Sequence, residues 1–535
     1  TKLVEAAVAP ARMQLLLAPL SLALVYRPAL QAHSAAIARG AARLAVASPS
    51  ELQPAATPRT ASAASLPLRI DGVWYELGDW ASEHPGGRWL LEYARGRDVT
   101  ALFRAIHMRS DKLAEAALAK LPRLEASAVP LPTSPGMHPS QLHAEGRLQG
   151  EYVLSIGDPP ELPPLPPIDS ALRSDLRALL RREFPNAASS KATPAHWART
   201  ALAALGTAAC WAGWLKGSAL ACLLLPFVHW VLIAHTVHEA THGNLSTDPR
   251  VNYWLQFTSH PICFNVFVWI PQHLLSHHQY TNDYRHDVDC HHFAPALISS
   301  EQPGYPVQQQ GSSYNEGWTF VWKGFLTTLG TCILQPLRSL LEKPTPNYEV
   351  NVTPVPLAVT KWQLLLSVLP SFFVLLFPMI TVVPHAPLLG LWLTLWPWVG
   401  MSAIFTCMTQ VSHVQQGCQP SFDSDRDGRC WTARQILTSL DYSMSGGDTL
   451  GTQAVTAVAA GLNAQSLHHA MPSVSCAHFP RIYAEYADIC ARHDVPIRHS
   501  DNAATAVSEM LEYMFENNDP ARWREMQHDA DGVSK

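Results

Sequence analysis

The sequence predicts a mainly α-helical fold: a four-span helical membrane domain preceded by a small soluble α+β domain. Composition is the first reason. Apolar residues make up 47% of the 535 positions and charged residues 15%, against about 25% charged in ordinary soluble domains. The mean hydropathy of +0.01 is too low for a chain embedded in lipid throughout, so soluble parts and spans are mixed. Four apolar segments of span length, arranged in two pairs between residues 197 and 408, are the second reason. Length alone suggests roughly three domains' worth of chain. The apolar content rules out disorder over the whole length, and a net charge of −5 gives no reason to expect nucleic acid.

The elements follow in order. Residues 13–26 form an apolar run too short to span comfortably, and residues 27–66 are rich in Ala, Arg and Ser with Glu51 as the only acid. Residues 1–66 therefore resemble a two-part plastid-targeting leader, or are an unstructured extension or upstream translated sequence. Residues 67–125 read as a small soluble domain, opening on an alternating run, Arg69 to Leu77, that turns at Asp71-Gly72. Residues 122–167 hold 11 prolines in 46 positions, a density no packed element survives, so 126–170 is an extended linker. Ser174-Asp175 opens a short amphipathic helix that ends at Pro185.

The spans are expected at 197–215 and 217–237, and at 362–383 and 386–408. The short connections make each pair a hairpin, so both ends of each pair return to one side. Two polar-interrupted apolar stretches between the pairs, 252–270 and 317–336, read as helices in the interface. The larger domain covers 171–515, and 516–535 is a polar tail.

The ten cysteines include no CxxC pair, which argues for a reducing compartment without a disulfide framework. The histidines are distinctive, because ten of the 25 fall within residues 235–292. In HEATH, His238 and His242 are four apart and share a helix face. In HLLSHH, His273 and His277 repeat that step, while His278 points about 100° around the helix. In QSLHH, Gln465, His468 and His469 repeat three- and four-residue steps. Seven histidines in three clusters are too many for one ion and suit two. Imidazole ligation fits iron, zinc, copper or nickel. The hairpin topology places these clusters, His413 beyond the last span, and the soluble domain on one side of the membrane. His260, His286, His291, His292 and His385 read as polar surface residues, and His235 is ambiguous.

HEATH, QHLLSHHQYTND and GLNAQSLHHAMP resemble the three histidine boxes of membrane fatty-acyl desaturases. The Gln that opens the third box is similar to the front-end subgroup, which inserts a double bond between an existing one and the carboxyl end of a polyunsaturated chain. The resemblance implies a di-iron centre with His238, His242, His273, His277, His278, His468 and His469 as ligands. His413, in TQVSHVQ, stands where relatives have a further ligand, and Gln465 faces the metal or orients a ligand. Glu239 replaces the usual Asp of the first box. Ser466-Leu467 and Ala470-Met471 depart from the residues common around the third.

The run WYELGDWASEHPGGRWLLEYARGRDVTALFRAIH resembles cytochrome b5. His84 and His107, 23 residues apart, are placed to clamp haem b from opposite faces. With both axial positions filled, such a haem carries electrons and has no place for O2. Gly86 and Gly87 allow a tight turn after His84 that would otherwise collide with a flat cofactor. Trp74, Trp80, Trp89 and Phe103 read as core. The expected enzyme is an O2-dependent oxidoreductase acting on a membrane lipid or acyl substrate. It would be fed by a cytochrome b5 reductase and be multi-pass in the endoplasmic reticulum, or in a plastid membrane if the leader acts. A sphingolipid desaturase or acyl hydroxylase with the same boxes is the alternative in that class. A membrane-anchored haem carrier with structural or transported zinc is the alternative outside it.

Overall fold

The computed structural model describes residues 65–125, 166–282, 287, 289, 324–341, 359–418, 429–445 and 447–517. Nearly all of the leader, most of the proline-rich linker, His286, His291, His292 and nearly all of the polar tail lie outside these residues.

The N-terminal unit begins with a β-hairpin, β1 (Pro67–Ile70) and β2 (Val73–Glu76), paired from Pro67↔Glu76 to Ile70↔Val73. Asp71 and Gly72 join them with φ of 50° and 78°. A two-residue loop with both φ positive matches the twist of the flanking strands, which is why Asp-Gly is placed there. β3 (Arg123–Leu124) completes an antiparallel sheet on β2. Three helices follow the hairpin: α1 (Arg88–Tyr93), α2 (Thr100–Ile106) and α3 (Asp111–Leu118). Trp89 and Trp74 are buried and Trp80 and Phe103 partly so, as expected of core residues.

α4 (Ala171–Glu183) starts before Ser174, because the Ser170 hydroxyl accepts from the Arg173 N–H and caps the helix there. Its buried stripe of Leu172, Leu176, Leu179 and Leu180 packs in one core with Phe479, Ile482 and Tyr486 of the C-terminal part.

α5 (Pro194–Leu215) and α6 (Ala219–Thr241) form the first hairpin, turning at Gly217 with φ of 77°. Thr193 caps α5 and Ser218 caps α6. α7 (Pro249–Leu255) and α8 (Val266–Ile270) lie in the stretch expected at the interface, followed by α9 (Gly324–Leu337). The second hairpin is α10 (Lys361–Thr381) and α11 (Pro387–Gln410), with a Thr360/Gln363 capping box opening α10. α6 packs between its partner α5 and α11.

Three of the four expected spans, α6, α10 and α11, are long and apolar enough to cross a membrane. They leave Leu224, Phe227, Leu369, Ile380, Leu388 and Leu395 exposed, apolar area that suits lipid better than water. α5 is as long, with 22 residues, but alanine dominates it and it falls below that apolarity. The described residues are thus mainly helical, with three helices of span length and apolarity.

His260 departs from its expected surface position. It follows the short turn Gln256–Ser259 and is half-buried, with both ring nitrogens shielded from solvent. His385, at the second hairpin turn, is exposed as expected. The nine cysteines among the described residues are free.

Candidate metal and haem sites

A π-helical turn, Ala234–His238, leads into the first histidine box, and another, Pro271–His277, carries most of the second. A π-turn closes i→i+5 hydrogen bonds and is common at functional sites. That winding changes which histidines meet. His273 shares its group with His278, five residues on, and not with His277, four residues on.

Ligand atoms of His238, His242, His273, His278 and His468 all lie within 4.8 Å of one another. His277, His413 and His469 form a second group by the same measure. The adjacent imidazoles of the third box, on α14 (Gln465–Ala470) after α12 (Trp431–Leu437) and α13 (Leu450–Ala459), divide between the groups. Gln465 joins the second: its Nε2 is 2.9 Å from His413 Nε2 and 3.2 Å from His469 Nε2. His235 belongs to neither group; its ring packs on His196 at 4.7 Å.

The residues fit metal ions. In the first group the Nε2 atoms of His242 and His273 are 3.0 Å apart, those of His273 and His278 3.2 Å, and those of His278 and His468 3.3 Å. Ligands about 2.1 Å from one ion and at right angles to each other would stand about 3 Å apart. Both His238 ring nitrogens are buried without a partner, a cost unless something fills the centre.

In the second group every Nδ1 donates outward: His277 to Asp287 Oδ2 (3.0 Å), His413 to the Thr438 carbonyl (3.1 Å) and His469 to Gln435 Oε1 (2.8 Å). Each bond fixes the tautomer that turns an Nε2 lone pair inward.

Burial holds His273, His278, His468 and His469 well below the usual imidazole range. Burial and the nearby His277 lower His413 to about 3. These rings are therefore neutral at pH 7, the form a metal binds. For His277 burial also pulls downward, but Asp287 and Asp289 prevail and push it up to about 9, so without a metal this ring carries a proton on Nε2 as well, and a metal would bind there by displacing it.

Several supporting residues carry no signal in the histidine spacing. Asp287 also accepts from the Asn282 N–H at 2.8 Å, fixing the turn after the second box. Gln435 is shared between His469 and the Thr281 hydroxyl (2.8 Å). Asp441, on β4 (Leu440–Tyr442), accepts from the Ser466 N–H (2.8 Å), the Ser466 hydroxyl and the Tyr483 hydroxyl (2.7 Å), anchoring α14. Burial raises its carboxyl to about 6 despite these donors. Glu239 accepts from the Cys476 N–H at 3.3 Å and so joins the first box to the loop after the third.

Two predictions follow from these contacts. Asp287→Ala should weaken metal binding about 10–100-fold, read as metal retained after graded chelation. Asp441→Ala should lower stability by about 3 kcal/mol, read as a fall in Tm in detergent.

The N-terminal unit presents a second pair. His84 and His107 face each other with ring centroids 6.1 Å apart. Two metal–imidazole bonds of about 2 Å each account for that gap. His107 donates from Nδ1 to the Phe103 carbonyl at 2.9 Å, and His84 Nδ1 is buried without a partner. Burial and then His107 lower His84 to about 3, and burial lowers His107, so both rings are neutral, the form that a metal binds. Gly86 has no room for a side chain, since a Cβ there would meet His84 Cε1 at 2.9 Å.

This unit rests on the larger one. Asp111 pairs with Arg177 (2.6 Å) and Arg181 of α4, and Arg173 donates to the Arg104 carbonyl (2.9 Å). The Trp89 and Tyr253 rings meet at 5.9 Å.

A haem-type cleft docked on a helical membrane domain with two buried histidine groups defines a class: a membrane oxidoreductase that carries its own electron donor. The sequence pattern of the fatty acid desaturase family matches residues 213–501, and that of the cytochrome b5-like haem/steroid-binding domain matches residues 60–124. The chain belongs to the fatty acid desaturase family, with a cytochrome b5-like domain fused at its N-terminal side. It is 28% identical to an acyl-lipid omega-13 desaturase of Chlamydomonas reinhardtii, over 83% of this chain and 92% of that one. It is 26% identical to a chloroplastic acyl-lipid (7-3)-desaturase of the same alga, over 83% and 79%. It is 25% identical to an acyl-lipid (8-3)-desaturase of Mortierella alpina, over 84% and 92%.

Proposed function

We propose that the protein is a front-end desaturase of polyunsaturated acyl lipids, using two non-haem irons, haem b and O2. The observation that carries this reading is the pair of histidine groups built from the three boxes and His413, beside a docked two-histidine cleft. The acyl-lipid desaturases it resembles support the substrate class.

His238, His242, His273, His278 and His468 would hold one iron, and His277, His413 and His469 the other. Gln465 completes the second set: rotating its amide would turn the now unpartnered Oε1 toward the two imidazoles, where a metal would accept it. His84 and His107 would hold the haem. When bound, the irons supply the O2 activation that no side chain provides. The overall reaction removes two hydrogen atoms from adjacent methylenes. O2 takes these with two electrons and two protons and leaves as two waters. Asp287, Thr438 and Gln435 keep three imidazoles aimed at one point, and the fold must grip the chain so that one carbon pair reaches the metals. A cytochrome b5 reductase supplies the electrons, and α5 serves as the fourth span, closing the first hairpin.

The test is expression in yeast fed with candidate polyunsaturated acids, followed by chromatography. New double bonds toward the carboxyl end are expected; hydroxylated products, or none from any acid, would overturn the reading. Fluorescent tagging with and without residues 1–66 separates plastid from endoplasmic reticulum.

A further inference from the structure

Trp431 is the first residue of α12 and is 2% exposed. On one side its indole packs with Ala101 and Ala105 of α2, the helix that ends at His107. On the other its Nε1–H donates to the Gln279 carbonyl at 3.1 Å, and Gln279 directly follows His278. The Gln279 side chain in turn reaches the Asp98 carbonyl of the N-terminal unit at 3.4 Å. The helix that Trp431 opens also carries Gln435, which holds His469. One aromatic side chain thus touches the helix of a haem-side histidine, the backbone beside a second-box histidine and the helix that fixes a third-box histidine. A buried indole with its single donor satisfied is held in one orientation. Ala101 and Ala105, both buried, are small enough for it to lie against the α2 surface.

We propose that Trp431 is the residue that couples the haem domain to the metal groups, seating α2 against them and providing the aromatic bridge for electrons. The proposal rests on the desaturase reading above. Each passage oxidises one ferrous haem to ferric and reduces one ferric non-haem iron to ferrous. Two passages serve each double bond, and a flavin-containing reductase re-reduces the haem. Within the interface Trp431 is a positioning residue: it binds neither metal nor substrate.

The test uses the full-length protein loaded with haem and iron, as wild type, Trp431→Phe and Trp431→Leu. Haem is reduced chemically, mixed with O2 and acyl substrate, and its re-oxidation is followed by absorbance. Product is measured in parallel with a small viologen mediator that delivers electrons to the irons directly. Trp431→Leu should slow haem re-oxidation at least several-fold. Trp431→Phe, which keeps the ring and loses the bond to Gln279, should be slowed less. Haem spectrum, iron content and mediator-driven product should stay at wild-type levels. Unchanged re-oxidation in both variants overturns the coupling role. So does equal loss with both electron sources, which would mark Trp431 as a support of the metal groups only. Should the Leu variant fail to fold, the Phe variant alone decides by the same comparison. Absence of desaturated product from the wild type would instead overturn the function itself.

Discussion

Replacing His277 by alanine is expected to abolish desaturation while leaving the haem spectrum intact and removing one of the two irons. His277 stands with His413 and His469, and its Nδ1 bond to Asp287 aims Nε2 at them. Loss of a hydrogen-bond partner behind a ligand already costs about 10–100-fold, so loss of the ligand should exceed about 100-fold in product formation. The grouping adds a sharper expectation. His413→Ala should lose the same ion, and the double variant should lose no more than either single one, because residues that serve one ion act as a unit. His273→Ala should deplete the other ion. If His277→Ala and His273→Ala deplete the same ion, the π-helical grouping is wrong and the four-residue spacing was the better guide. Iron and zinc per chain, measured on purified protein, also decide against the zinc-holding haem carrier. That rival predicts zinc, no acyl-dependent oxygen consumption, and no dependence of any product on His277.

That contrast shows where sequence reasoning reaches and where it stops. The identities of the clustered histidines were legible because metal chemistry demands a particular residue type at short spacing, and HPGG with His107 was legible for the same reason. Their division between two groups was not. An i,i+4 rule holds for a regular α-helix, and a π-turn at Pro271–His277 moves the alignment to i,i+5. The hairpins were legible because apolar runs of span length flank short polar turns. α5 shows the weak point, since alanine supports a long helix without making it strongly apolar. The start of α4 moved because one hydroxyl, that of Ser170, caps it earlier. Asp441 to Ser466, Glu239 to Cys476 and Gln435 to His469 are contacts between distant parts of the chain. Each looks like an ordinary polar residue in sequence, and only folding brings it behind a ligand. His260 makes the same point in reverse, because a histidine in a turn reads as surface until neighbouring helices half-bury it.

His107→Ala is expected to remove the haem and to bring turnover close to background when no other cytochrome is supplied. The substitution is mild for the fold. His107 caps the end of α2, and its side chain gives up one hydrogen bond to Phe103. His84→Ala should act alike, since the haem would be held by both imidazoles, and absorbance of the purified protein reports the missing haem directly. Adding a separate cytochrome b5 should restore little activity, for a physical reason. A domain tethered to its partner works at an effective concentration of order millimolar, so a carrier added at micromolar levels meets the metal face far less often. The haem-free domain also keeps its seat, because Asp111 still pairs with Arg177 and Ala101 still lies on Trp431, and the added carrier must displace it. Adding Arg177→Glu and Arg181→Glu to the His107→Ala chain should loosen that seat and let the external cytochrome work better. Full activity of His107→Ala without added cytochrome would end the claim that this domain supplies the electrons, while leaving the assignment of the metal groups standing.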